Sequence, residues 1–258
     1  MRLILKLTAL LALISLAGCA GMGADETAGW SAQQFYEKGR EALDGKDYQS
    51  ALDYYSKLEA RYPYGAYTEQ AQLETAYAHF KAEEPAAAVA AADRFIKLHP
   101  RHKNVDYAYY MRGLASFEAE RAFLEGLFKQ DTSKRDPTVA RESFNYFREL
   151  VTQFPDSKYT PDAIQRMTWL RQRLAQHELH VADYYLRRGA PLSAANRAKY
   201  VVENYQGTPE VADALAVMVQ AYRQMQQNEL AEDALRVLRL NHPDHPFLQQ
   251  EPPAATGK

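Results

Sequence analysis

"SAQQFYEKGREALDGKDYQSALDYYSKLEARYP", residues 31 to 63, decides the fold, because it reads as two amphipathic helices joined by a tight turn. Ser31 followed by Gln34 forms a capping box, and Phe35, Tyr36, Gly39, Ala42 and Leu43 then recur at three and four, on one helix face. Gly45 is expected to end that helix, and Asp47 to cap the next. Tyr48, Ala51, Leu52, Tyr55, Leu58 and Tyr62 make the second stripe, which Pro63 stops.

The pair recurs. Second helices end in "LEARYP" (58 to 63), "FIKLHP" (95 to 100), "LVTQFP" (150 to 155), "VVENYQ" (201 to 206) and "LRLNHP" (238 to 243). Twelve residues before each terminal position stands a small residue, where two helices must approach closely: Ala51, Ala88, Ser143, Ala194 and Ala231. Gly39 and Ala76 lie twelve further back in the first two units. Small residues at positions 8 and 20 and proline near 32, in a unit of roughly 34, resemble the tetratricopeptide repeat. That resemblance implies an all-α solenoid of about five helix pairs, which buries its core between neighbouring repeats and offers a concave face.

The departures from the pattern are local. Terminal spacing is 37 residues for the first and last steps but 55 and 51 in the middle, and Gln206 replaces the proline. The third unit carries an insertion, residues 120–137, with Gly126 and Pro137 as breakers. From Pro161 to Arg188 a helical pattern runs longer than a repeat helix requires, as if a repeat helix were fused to an extra one. The expected divisions are N-terminal repeats at 30–158, C-terminal repeats at 159–243, and a disordered tail at 244–258, where proline and small residues accumulate.

The N-terminus carries an address. Residues 1–18 combine Arg2 and Lys6, an apolar run from Leu7 to Ala17, and small residues before Cys19, the three-part pattern of a secretory signal. The run is too short to span a bilayer, which takes about 20 residues. "LAGC", residues 16 to 19, resembles a bacterial lipobox, in which the thiol of the single cysteine takes a diacylglycerol and the new amino group is acylated. Two or three acyl chains give durable anchoring where one gives marginal binding. Residues 19–29 then read as a flexible lipidated tether, and the absence of aspartate just after Cys19 favours the outer membrane.

The composition excludes several classes of function. With 47% hydrophobic and 25% charged residues the chain is globular, and a formal net charge of −2 leaves no polybasic footprint for nucleic acid. Phosphate loop, nucleophile elbow and paired-cysteine metal site are all missing, so neither an enzyme nor a cofactor is expected. His177 and His180 share a helix face without a third ligand, and His99, His102, His242 and His245 fall in matching turns, which argues for a structural role.

Two groups of side chains suggest recognition. Arg61, Tyr62, Tyr64 and Tyr67 surround Pro63 and Gly65 in a turn, and Tyr107, Tyr109, Tyr110 and Arg112 start the third unit. Tyrosines give large contact area at low entropy cost, and a cation suits a peptide carboxylate, so Arg61, Tyr62, Tyr64, Tyr67, Tyr107 and Arg112 are peptide-binding candidates. Packing between repeats is the competing use of these rings. Arg187, Arg188, Arg197 and Lys199 flank the turn "RRGAPLSAANRAKY" and are candidates for docking an acidic partner surface.

The lipobox, the five repeats and the strings "RYPYGAY", "DRFIKLHP", "VDYAYYMRGL", "KRDP", "LVTQFPDSKYTPDA", "VADYYLRRGA" and "AYRQMQ" together resemble the BamD (ComL) family. Those proteins are lipoproteins of the outer-membrane β-barrel assembly machinery. The resemblance covers nearly the whole mature chain. It implies a periplasm-facing scaffold on the outer membrane that contacts a BamA-like central barrel protein, the other Bam lipoproteins and unfolded outer-membrane proteins. A tetratricopeptide-type coordinator of peptidoglycan enzymes is the alternative, and a lipid-anchored hydrolase is more remote.

Overall fold

The computed structural model describes residues 27–125 and 136–249. The signal, Cys19, most of the tether and most of the insertion lie outside them. Among the described residues ten helices follow one another as five consecutive pairs: α1 (Ala32–Asp44) with α2 (Tyr48–Arg61), α3 (Ala66–Lys81) with α4 (Pro85–Leu98), α5 (Val105–Glu125) with α6 (Thr138–Gln153), α7 (Thr160–Arg187) with α8 (Pro191–Asn204), and α9 (Glu210–Gln224) with α10 (Asn228–Asn241). A short α11 (Pro246–Gln249) follows. The fold is all-α and tetratricopeptide-like, as the repeat predicts.

The caps form as the sequence predicts. Ser31 Oγ accepts from the Gln34 amide at 3.3 Å, and Gln34 Oε1 accepts from the Ser31 amide at 2.8 Å. Asp47 accepts from the Ser50 amide at 3.1 Å, and those bonds to Ser50 hold its carboxyl below the usual range.

Two turn motifs recur. Within pairs, the residue before the second helix's N-cap is left-handed: Lys46 (φ 64°), Glu83 (φ 61°), Gly189 (φ 69°) and Gln226 (φ 59°). The next amide reaches back five residues in each, from Asp47 to Ala42, Glu84 to His79, Ala190 to Tyr185 and Gln227 to Tyr222, at 2.9–3.0 Å. Gly45 caps the end of α1 as expected, in a right-handed conformation at φ −74°, and the left-handed position is the next residue, Lys46. Between pairs, Tyr62, His99, Phe154, Tyr205 and His242 share φ from −119° to −139° and donate their amides four residues back. Proline follows four of the five, holding ψ at 56–74°; Tyr205, followed by Gln206, relaxes to 35°.

Where the pairs close, residue sizes are matched. Ala51, Ala88, Ser143, Ala194 and Ala231 are all buried. A Cβ on Gly39 would stand 2.2 Å from Tyr55 Cε1, and one on Gly113 would stand 2.6 Å from Phe147 Cδ1. Ser143 Oγ also donates to the Gly113 carbonyl at 3.0 Å. The corresponding residues are Ala76 with Ala92 and Ala182 with Ala198, all fully buried, and in the fifth pair Val219 with Leu235, which are also buried. In four of the five pairs, then, a ring on the second helix goes with glycine on the first, or alanine with alanine, as dense packing demands.

The chain forms two compact units that meet between Ala71 and Gln72, inside α3. In the first unit α1 packs on α2; in the second, each helix from α4 to α10 packs on the next, and α7 also meets α9. One apolar cluster, from Phe117 and Phe147 through Leu170 and Leu174 to Val201 and Val217, joins the third and fourth pairs across 158/159.

Three further elements bear on what was expected. α7 is one uninterrupted helix of 28 residues, the long element expected over 161–188. α5 runs on to Glu125, so the first residues of the 120–137 insertion extend a repeat helix. The tail expected to be disordered from 244 starts instead with the inter-pair turn, the His245 amide donating to His242 and the Leu248 amide to His245. Phe247 and Leu248 then pack against Leu215, Leu235 and Leu238, covering apolar surface at the end of the last pair. Residues 250–258 lie outside the described residues.

Candidate binding surfaces

In the first unit, α1 and the α2–α3 turn gather aromatic rings. Tyr36 lies 6.3 Å from Tyr55 and 5.6 Å from Tyr67, centroid to centroid, and Trp30 lies 5.9 Å from Tyr54. Tyr62, capping α2, donates its hydroxyl to the Trp30 carbonyl at 2.8 Å. Arg61 bonds the Thr27 carbonyl and stands 5.0 Å over Phe35. Arg61 and Tyr62 thus fasten residues 27–30 to the first pair. Tyr64 is different: it precedes Gly65 (φ 120°) and is 91% exposed, while Tyr67 is 40% exposed. Of the three tyrosines in this turn, Tyr64 and Tyr67 are the exposed ones, and Arg61 is exposed while holding the Thr27 carbonyl.

In the second unit, the group that starts α5 is committed to packing. Arg112 is buried, bonds Asp93 on α4 at 2.8 Å, and also pairs with Glu149 on α6. Its guanidinium lies 5.0 Å from the Tyr109 ring and 4.4 Å from Tyr146. Arg112, expected to meet a peptide carboxylate, instead spends its charge on two internal ones, because a buried cation is tolerated only when paired. Tyr107 packs against Tyr159 at 5.4 Å, and burial raises its hydroxyl pKa. Tyr110 stacks on Tyr159 at 4.8 Å and donates to Asp162 at 2.8 Å. Burial, reinforced by that bond, pushes the Tyr110 hydroxyl up to about 12.

Arg166 completes this hub. It bonds Asp162 at 2.6 Å and Glu118 at 3.1 Å and lies 4.6 Å over Phe117. Burial works to raise the Asp162 carboxyl, but the bonds from Arg166 and Tyr110 outweigh it and hold it low. Beside the hub a cavity of about 560 Å³ opens between the α3–α4 turn and α5, lined by Phe80, Lys81, Pro85, Ala115, Glu118 and Ala119. Sequence reasoning missed the cavity and Arg166, since their residues are ordinary helix positions some 35 to 48 apart.

The candidates around the α7–α8 turn also separate. Arg187 and Arg188 are exposed at the end of α7. Arg197 instead holds Glu178, a buried carboxylate on α7, at 2.8 Å, and Arg141 approaches the same carboxylate at 3.8 Å. Lys199 meets Glu203 at 3.6 Å, an exposed pair on one helix. Leu192 (63% exposed) and Tyr200 (43%) stand outward among these cations, giving the surface an apolar component.

Among the described residues no helix is long and apolar enough to cross a membrane. A family model described as YfiO, outer membrane lipoprotein, matches residues 29–238. The chain is 44% identical over 242 residues, 92% of its length and 91% of the relative's, to the outer membrane protein assembly factor BamD of Neisseria meningitidis serogroup B. It is 38% identical to that of Xylella fastidiosa strain Temecula1, over 86% of this chain and 75% of that one. To that of Vibrio cholerae the identity is 35%, over 91% and 97%. Among solved structures, that of MamA protein aligns with a TM-score of 0.40 at 13% identity, over 81% of this chain and 90% of that one. The match of the family model over the repeats, together with relatives of this identity over nearly the full length, makes the chain a member of the outer membrane lipoprotein family to which BamD belongs.

Proposed function

We propose that this protein is an outer-membrane protein assembly factor that works as a lipid-anchored, non-catalytic adaptor. One observation carries the reading: 44% identity over nearly the whole of a protein named for that role. Cys19 supplies the anchor on the periplasmic side, and the helical repeats supply recognition surfaces. The exposed rings of Tyr64 and Tyr67 meet unfolded outer-membrane proteins, and the cavity between Phe80, Ala115 and Ala119, rimmed by Lys81, Glu83 and Glu118, is suited to an inserted side chain. The α7–α8 turn, with Arg187, Arg188 and Lys199 around Leu192 and Tyr200, docks the acidic surface of a BamA-like barrel component; other Bam lipoproteins join the same assembly.

Depletion of the protein tests the role. Folded outer-membrane barrels, counted by heat-modifiable mobility, are expected to fall; unchanged barrels with loss of co-purifying murein enzymes would establish the coordinator role instead. For the docking surface, Arg187→Glu with Arg188→Glu is the cleaner variant. Reversing Arg197 would also set a second carboxylate against buried Glu178 and damage the α7–α8 contact. Full recovery of the barrel component with the double variant would remove these two residues from the interface.

A further inference from the structure

We infer that the α4–α5 turn is a docking surface for anionic phospholipid headgroups. This rests on the anchored reading above, since it needs a bilayer within reach, but its observation is separate. Arg94, Lys97, Arg101 and Lys103 are all exposed, and no acid occurs from 94 to 103. Leu98, in their midst, is 52% exposed. The inward side of the turn is made by other residues: His99 and His102 pack on Phe95 at 5.0 and 5.2 Å, and His99 bonds Gln72 at 2.7 Å.

The repeat supplies an internal control, because the same turn occurs elsewhere with different chemistry. Before the capping residue, where this turn has Leu98, the others have Arg61, Gln153, Asn204 and Asn241. Where this stretch has four cations, the matching stretch around the end of α6 mixes Asp156 with Lys158, and those around the ends of α8 and α10 carry Glu203 and Asp244. The backbone conformation therefore requires neither the leucine nor the cations. A cation at Lys97 also suits the negative end of α4, but Arg101 and Lys103 lie past the helix. A leucine ringed by long-stemmed cations matches a plane of phosphates over hydrocarbon, where each cation contributes about 1 kcal/mol.

The test uses the full chain in a Cys19→Ser background, so that no acyl group is attached and every variant keeps the same N-terminus. Co-sedimentation is measured with vesicles of equal phosphatidylglycerol and phosphatidylcholine, and with phosphatidylcholine alone. Replacing Lys97, Arg101 and Lys103 by alanine is expected to weaken binding to the anionic vesicles about a hundredfold. Leu98→Ser should weaken it about tenfold on both vesicles. Removing the same charge elsewhere, with Lys38→Ala, Arg40→Ala and Arg236→Ala, should leave most of the binding intact. Equal losses in the two triple variants, or unchanged binding in the first with its helical circular dichroism retained, would overturn the proposal. So would a poly-glutamate peptide that binds the turn when anionic vesicles do not. Barrel assembly after depletion is a separate measurement, so failure of this surface and failure of the adaptor role are distinguishable.

Discussion

Two aromatic clusters that look alike in the sequence are used in different ways. "RYPYGAY" at 61–67 and "DYAYYMRGL" at 106–114 each combine three tyrosines with an arginine. In the second, Tyr107, Tyr109 and Tyr110 sit on a helix, pack against Tyr159, Phe154 and Phe147, and sandwich or neighbour a neutralised Arg112. In the first, Pro63 and Gly65 break the helix, and the side chain between them, Tyr64, has nowhere to pack. Helix register consumes aromatic surface, and a break in register leaves it available.

The sharpest way to break this comparison is at the arginines. Arg112→Ala should destabilise the protein by about 1 to 3 kcal/mol, because the buried stem and two charge-assisted bonds are lost while the partly exposed Asp93 and Glu149 regain water. Denaturant unfolding checks this, and a loss below 1 kcal/mol would mean that Arg112 is not the keystone described. Next come the matched glycines: Gly113→Ala and Gly39→Ala should each cost about 1 to 3 kcal/mol by driving a methyl group into Phe147 or Tyr55. A neutral outcome at Gly113 would show that α5 and α6 can separate without penalty.

Tyr110→Phe removes the bond to Asp162 and should cost about 1 kcal/mol near neutral pH. It also carries a signature in alkali. The Tyr110 hydroxyl titrates near 10 when unfolded and at about 12 when folded, so the unfolded state releases its proton first. The stabilisation is complete below pH 10 and is lost as pH rises towards 12, so the phenylalanine variant should show a shallower fall in stability across that window. Identical slopes would remove Tyr110 from the account. The smallest effect on folding is expected at Tyr64→Ala, within about 0.5 kcal/mol, since the ring is exposed. The same change should weaken binding of a β-barrel C-terminal peptide about fivefold or more, measured by fluorescence anisotropy. Unchanged affinity would leave the open ring without a role.

Features that act over a few residues were legible. Ser31, Asp47, the recurrent prolines and the small residues at 51, 88, 143, 194 and 231 announce helix ends and close approaches, and each is found in that role. The left-handed turns were hidden, because Lys46, Glu83 and Gln226 stand where glycine would have signalled them. Gly113 was hidden for another reason: the insertion moves it 30 residues from Ser143, although the two are hydrogen-bonded.

The candidate site was less legible than the fold. Arg112 and Arg197 are the same residue type as Arg187, and only the carboxylates brought up by neighbouring helices distinguish them. Asp93 and Glu149 lie 19 and 37 residues from Arg112, and Glu178 lies 19 from Arg197. No local pattern joins such pairs.

By itself, then, the amino-acid sequence determined the helices, their pairing and the repeat, because capping bonds and 3.6-residue periodicity are settled within one or two turns. Tertiary structure decided which arginines are neutralised, which tyrosines stay open, where the chain divides and how residues 242–249 end the last pair. Those outcomes depend on the side chains that neighbouring helices bring opposite one another, and burial of charge and ring is settled only there.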